Sequence, residues 1–296
     1  MRLTAAMIAD RAARLEKVLS LCTLCHHRCL VDRRKGEVGR CGLGNRIKVA
    51  NFGPHFGEER PLVGRRGSGT VFFSGCNLAC LFCQNYDISQ LQQGEELKTE
   101  DLAAIFFSLA QYGCHNINLV TPTHQAPQLL FSLAMARDQG LDLPVVWNCG
   151  GYESVESLQE LEGIVDIYMP DVKYGDDRAA TQYSDAPQYF TNIKAVLQEM
   201  HRQVGDLVIE NGVAQRGLLI RHLVLPNQVA ASQNVLQFIA AKIGCSTYIN
   251  IMSQYCPSYR AKRCPQLARP ITIAEYTEVV AIANALGLRR GLSLLS

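Results

Sequence analysis

Between residues 70 and 286, six short apolar runs alternate with longer amphipathic stretches. The runs cover 70–74, 117–120, 145–147, 165–169, 218–225 and 248–252, and helical periodicity follows them near 99–111, 125–138, 153–161, 188–203, 232–243 and 273–286. Six β-α units in a row demand a parallel sheet, because parallel strands are joined only by crossovers, and these are right-handed. Six units fall short of the eight that close a barrel. The expected fold is α/β: an incomplete (β/α)6 barrel with its site at the carboxyl ends of the strands.

The first loop of that barrel carries Cys76-Asn77-Leu78-Ala79-Cys80-Leu81-Phe82-Cys83, a C-x3-C-x2-C set directly after the strand at 70–74. Four protein ligands close a structural zinc site or an ordinary cluster. Three thiolates can hold three irons of a [4Fe–4S] cluster and leave the fourth facing the barrel mouth.

A second set lies upstream, Cys22-x2-Cys25-x3-Cys29 followed by Cys41. Its loop has too few apolar residues for a core of its own, and four soft ligands would supply the constraint. Cys22, Cys25, Cys29 and Cys41 are therefore expected to hold a second metal, zinc or an iron–sulfur cluster, with His26 and His27 as alternative donors. This site is expected to be independent of the first. Two units follow: residues 1–69, with an amphipathic helix at 1–20, the four-cysteine segment and a Gly/Pro-rich linker at 45–69; and the barrel, 70–296. Phe52, His55 and Phe56 are expected to pin the linker down.

Composition limits the partners. The net charge is +2, which builds no field for nucleic acid or an anionic membrane. There is no apolar run long enough for a membrane span and no signal-peptide core, so the expected location is cytoplasmic. Twelve cysteines in such a chain point to metal or redox chemistry.

The cysteine loop, placed on a partial barrel, resembles the radical S-adenosylmethionine (radical SAM) superfamily, and Phe82 before the third cysteine fits its motif. Within it, Cys80-Leu81-Phe82-Cys83-Gln84-Asn85 is similar to the motif of glycyl-radical-enzyme activases. Asp166-x-x-Met169-Pro170-Asp171-Val172-Lys173 and Ile220-Arg221-His222-Leu223-Val224-Leu225-Pro226 are similar to activase segments on strands four and five. With the four-cysteine segment in front, nearly the whole chain resembles the pyruvate formate-lyase activating enzyme-like group.

The resemblance implies an iron–sulfur oxidoreductase that reductively cleaves S-adenosylmethionine to a hydrogen-abstracting 5′-deoxyadenosyl radical. Its substrate would be a protein glycine or a small molecule, and its reductant a flavodoxin or ferredoxin. It implies that Lys173 approaches the methionine carboxylate, that Asp171 faces the mouth beside it, and that Arg221 and Asn85 lie beside the cofactor. Asn148, Cys149, Met169 and Asp171 match positions that hold a monovalent cation in activases, although Asn148 lacks the carboxylate found there. The usual G-G-E amine site is replaced by Thr121-Pro122-Thr123-His124, where Thr121 and Thr123 supply hydroxyl or carbonyl acceptors. Gly150-Gly151-Tyr152-Glu153 reads as a strand-to-helix turn, with Glu153 in the helix's first turn. Cys114, Cys149 and Cys245 read as small buried residues, and the basic loop between Cys256 and Cys264 as solvated. The alternative is a non-catalytic iron–sulfur or zinc electron carrier or scaffold, which needs neither Lys173 nor Arg221.

Overall fold

The computed structural model describes residues 3–292. In chain order the elements are α1 (Ala5–Val18), β1 (Ile47–His55), α2 (Arg60–Val63), β2 (Ser68–Phe73), α3 (Tyr86–Ser89), β3 (Glu95–Leu97), α4 (Thr99–Gln111), β4 (Ile117–Val120), α5 (Ala126–Asp138), β5 (Val145–Cys149) and α6 (Val155–Gln159). Then come β6 (Ile167–Pro170), α7 (Asp177–Ser184), α8 (Tyr189–Val204), β7 (Val208–Glu210), β8 (Val213–Leu223), α9 (Ser232–Phe238), β9 (Tyr248–Met252) and α10 (Ile273–Ala285).

The six expected strands are β2, β4, β5, β6, β8 and β9, paired in that order and all parallel. Among the described residues β2 and β9 do not pair, so the barrel is open. The expected helix at 1–20 is α1, and the first two positions of that range lie outside the described residues. Ile8, Ala12 and Leu15 form its buried stripe, packed on α5.

Three expectations are corrected. Residues 47–55 form β1, antiparallel to β2 and β3, where an irregular linker was expected. The alternation Ile47-Lys48-Val49 starts the strand, with Ile47 and Val49 buried. Pro54 is tolerated because β3 pairs only with Ile47–Val49, leaving the far half of β1 as an edge. The 69/70 boundary thus falls inside β2, which pairs with β1. Phe52 and Phe56 are exposed and pin nothing, while His55 sits edge-on to Phe72. Cys245 is exposed, with its thiol donating to the Leu286 carbonyl at 3.3 Å.

The pleat sorts side chains onto two faces. Val145, Trp147, Tyr168, Leu218 and Ile220 join the large core under the helices. Their neighbours Val146, Ile167, Met169 and Leu219 form a separate cluster on the concave face, sealed by Leu62 of α2. Leu62 is fully buried, a contribution of about 2 kcal/mol. The segment between β1 and β2 therefore plugs the amino-terminal end of the barrel. Period two then dictates that Asn148, Asp171 and Arg221 continue the concave face toward the carboxyl ends.

Candidate active site

Cys76, Cys80 and Cys83 follow β2 and converge on a cavity of about 160 Å³. Thr121 after β4, Asn148 and Cys149 of β5, Asp171 and Lys173 after β6, and Arg221 of β8 line the same cavity. A second chamber of about 270 Å³ shares Cys80, Cys83, Asn85, Asp171, Lys173 and Arg221, and adds Phe82, Met252, Tyr255 and Cys256.

The thiols are held by donors suited to sulfur that carries negative charge. Leu78 N–H donates to Cys76 Sγ at 3.3 Å, and Ser184 Oγ donates to Cys80 Sγ at 3.0 Å. Ser89 Oγ lies 3.2 Å from Cys83 Sγ. Burial pushes the Cys76 and Cys80 thiols upward, and the Lys173 ammonium pulls Cys80 back. Three soft donors on one wall, with a cation nearby and open volume in front, fit the donor set of an iron–sulfur cluster. Phe82 is buried, edge-on to Tyr255 at 5.8 Å and to Tyr174 at 6.4 Å, and anchors the loop.

The opposite wall is an ion network. Lys173 Nζ donates to Asp171 Oδ2 at 2.7 Å, and Arg221 Nε donates to Asp171 Oδ1 at 2.6 Å. Arg221 Nη2 donates to Asn148 Oδ1 at 2.8 Å. Burial raises the Asp171 pKa, but the two cations overcome it and hold the carboxyl down at about 2. Burial lowers Lys173, and Asp171 and Cys80 more than reverse it. The acceptor that Asn148 would offer a monovalent cation is already taken by Arg221.

Below this layer, Glu58 Oε2 lies 3.3 Å from Arg221 Nη1 and Glu59 Oε2 lies 3.9 Å from it. Both carboxylates arrive on the plug segment. His222 fixes the layer from behind: its Nδ1 donates to the Val172 carbonyl at 2.6 Å and its Nε2 accepts from Ser232 Oγ at 2.8 Å.

Thr121 lines the inner chamber with φ 59°, a left-handed conformation that a β-branched residue rarely takes. Thr123 does not reach the cavity; its hydroxyl is buried and donates to Glu153 Oε1 at 2.6 Å. Glu153 is likewise corrected. It precedes Ser154, the cap of α6, and turns inward, where burial raises its carboxyl to about 7. The helix that would have offered it a dipole begins two residues too late, at Val155.

Cys22, Cys25 and Cys41 are buried and Cys29 is partly buried; burial, helped by the neighbouring thiols, pushes the Cys25 and Cys41 thiols up. Among the described residues, no three His, Cys, Asp or Glu side chains are grouped as the ligands of one metal ion. The segment is not remote from the first loop. Cys25 pairs with Glu153, and His27 Nε2 donates to the Asn77 carbonyl at 2.8 Å. A Cβ on Gly75 would lie 2.7 Å from the Cys41 carbonyl, so only glycine allows this approach. Glu58, Glu59 and His222 went unread in the sequence because their roles depend on non-local contacts.

A profile of the radical SAM superfamily matches residues 70–227. An uncharacterised protein of Methanocaldococcus jannaschii is 33% identical over 283 residues, covering 92% of this chain and 77% of that protein. The pyruvate formate-lyase-activating enzyme of Clostridium pasteurianum is 26% identical over 190 residues, 61% of this chain and 72% of that one. A radical SAM methyltransferase from Sphaerobacter thermophilus shares the fold, with TM-score 0.52 and 14% identity over 76% of this chain and 65% of its own. Native anSMEcpe with bound AdoMet does so too, with TM-score 0.52 and 12% identity over 74% and 61%. The chain thus spans less than two thirds of the length of those two structures.

Proposed function

The chain belongs to the radical SAM superfamily, and from that premise we propose that Cys76, Cys80 and Cys83 would hold a [4Fe–4S] cluster and that the inner chamber would take S-adenosylmethionine. The observation that carries this is one cavity, lined on one side by the three thiols and on the other by Lys173, Asp171 and Arg221. When bound, cluster and cofactor supply reductive cleavage and a hydrogen-abstracting radical.

The protein's own groups bind and orient. Lys173, kept charged by Asp171, pairs with the methionine carboxylate. Thr121 offers its carbonyl and hydroxyl to the amine. Arg221 braces Asp171 and Asn148. Phe73, Leu78 and Val120 line the inner chamber and limit water. The outer chamber, walled by Tyr255, Met252 and Cys256, receives the substrate. The C-L-F-C-Q-N motif and the similarity to the Clostridium pasteurianum enzyme support an activase-like reaction on a protein glycine. The four-cysteine segment is assigned a second metal, zinc or iron–sulfur. A pure electron carrier would not need a second chamber behind a charged wall.

The test is anaerobic reconstitution followed by assay of 5′-deoxyadenosine. Wild type should form it, and Cys80→Ala should not. No product above that control from a fully loaded wild type would overturn the enzyme reading.

A further inference from the structure

Behind the cysteine loop, the end of α7 runs against Cys80. Ala79 N–H donates to the Ser184 carbonyl and Leu81 N–H to the Tyr183 carbonyl, both at 2.9 Å. These two bonds bracket Cys80, so backbone contacts already fix the loop against α7. The Ser184 hydroxyl is not needed for that clamp. Its Oγ donates to Cys80 Sγ at 3.0 Å, and Tyr174 Oη lies 2.7 Å from the same Oγ. Ser184 and Tyr174 are both fully buried.

The hydrogens of this chain fit one arrangement. A metal-bound thiolate carries no proton and only accepts. Burial raises the Tyr174 phenol well above its usual range, so it keeps its proton. Ser184 has a single hydroxyl hydrogen. Given to Tyr174, that hydrogen would leave Cys80 without its donor and turn the phenol hydrogen away from Ser184. With Tyr174 donating to Ser184 and Ser184 to Cys80, each hydrogen meets an acceptor. Edge-on contacts with Phe82 at 6.4 Å and Tyr189 at 5.8 Å hold the Tyr174 ring.

Cys83 has a related neighbour. Gln90 Nε2 donates to Ser89 Oγ at 3.3 Å, and that hydroxyl lies 3.2 Å from Cys83 Sγ. Ser89 and Gln90 line the inner chamber, whereas neither Ser184 nor Tyr174 lines either chamber. A molecule entering the inner chamber therefore meets Ser89 but does not reach Ser184.

We propose that Ser184, oriented by Tyr174, sets the reduction potential of the cluster through Cys80. The proposal rests on the cluster reading above. The step concerned is uptake of one electron by the cluster from a one-electron reductant, and no proton moves along the chain. The added electron makes the sulfur ligands more negative, and an O–H dipole aimed at one of them stabilises the reduced form more than the oxidised form. Burial excludes water that would otherwise compete for the same sulfur. Tyr174 is a positioning residue: it fixes the rotor of the Ser184 hydroxyl.

The test is a potentiometric titration of the reconstituted protein, with dithionite as reductant, that follows the electron paramagnetic resonance signal absent from Cys80→Ala. At a fixed solution potential, Ser184→Ala should lower the reduced-to-oxidised ratio about tenfold, a shift of about 59 mV for one electron. Iron per chain should be retained, because both backbone bonds to α7 remain. Tyr174→Phe should lower the ratio by a smaller factor. The double variant should match Ser184→Ala, because Tyr174 acts only through Ser184. Ser184→Ala leaves the phenol without an acceptor; should it fail to fold, the double variant, which removes both polar groups, and Tyr174→Phe carry the comparison. An unchanged or raised ratio at full iron content, a Tyr174→Phe effect that adds to that of Ser184→Ala, or iron loss from the double variant would overturn the assignment. Absence of any reducible cluster in wild type would instead overturn the cluster reading.

Discussion

Arg221 and Asp171 share a 2.6 Å hydrogen bond, Nε to Oδ1, on the concave face of the sheet. The same carboxylate receives Lys173 on its other oxygen. Asp171 is thus the anion that bridges two half-buried cations. Asp171→Asn keeps the size and removes the charge, leaving Lys173 and Arg221 to repel each other across the site. Breaking a buried charge network of this kind costs about 3 kcal/mol. Thermal unfolding should fall accordingly, and 5′-deoxyadenosine formation should drop by roughly 100-fold, about 2.7 kcal/mol of barrier, with iron content per chain retained.

Glu58 tests whether the plug segment supports the site or only fills space. Its side chain is 7% exposed and approaches Arg221 Nη1 at 3.3 Å. Burial raises its pKa and Arg221 opposes the rise. Glu58→Gln leaves Arg221 with its closer partner Asp171, so the expected loss of stability is smaller, about 1–2 kcal/mol. The KM for S-adenosylmethionine should change less than in Asp171→Asn. An equal effect would mean that Arg221 is placed from below.

The sequence made the six parallel strands legible because each is a short apolar run bounded by an amphipathic helix. The resemblance of the strand-four and strand-five segments put Asp171 and Arg221 at the barrel mouth, and the pleat of β6 and β8 is what brings them onto one face. The strand β1 was hidden by Gly53 and Pro54, which read as breakers although an edge strand accepts both. Thr123 and Glu153 were misplaced for a related reason. Which hydroxyl reaches a cavity depends on the left-handed turn at Thr121, and nothing in Thr-Pro-Thr-His announces that turn. The carboxylates of Glu58 and Glu59 come from a segment more than 160 residues away from Arg221, a distance no local periodicity can report.

The two cysteine segments touch, contrary to their expected independence. His27 holds the Asn77 carbonyl at 2.8 Å, and the Cys41 carbonyl backs onto Gly75. Cys25→Ala should remove the second metal and also lower iron at the first site in part, because the turn that Cys41 stabilises supports the residue before Cys76. His27→Ala, which keeps all four thiols, should retain the second metal and still reduce the first. Metal analysis per chain separates these outcomes. Unchanged first-site iron in both variants would show the contact to be passive.

His222 gives a pH dependence whose sign follows from its surroundings. The imidazole is fully buried, donates through Nδ1 to Val172 and accepts from Ser232 at Nε2, so protonation would break the second bond. Burial lowers its pKa from 6.5 to about 4. Between those values the unfolded chain binds the proton and the folded chain does not, so unfolding takes up a proton and stability rises with pH. This contribution is fully present above pH 6.5 and is lost as pH falls toward 4. His222→Gln should be less stable than wild type at pH 7.5 by about 1–3 kcal/mol, from the disturbed hydrogen bonds. The gap should narrow by about 2 kcal/mol at pH 5, because only wild type loses the titrating contribution. Unfolding midpoints at the two pH values measure it. A constant gap would mean that the folded and unfolded chains bind the His222 proton equally well, and that burial does not hold the imidazole neutral.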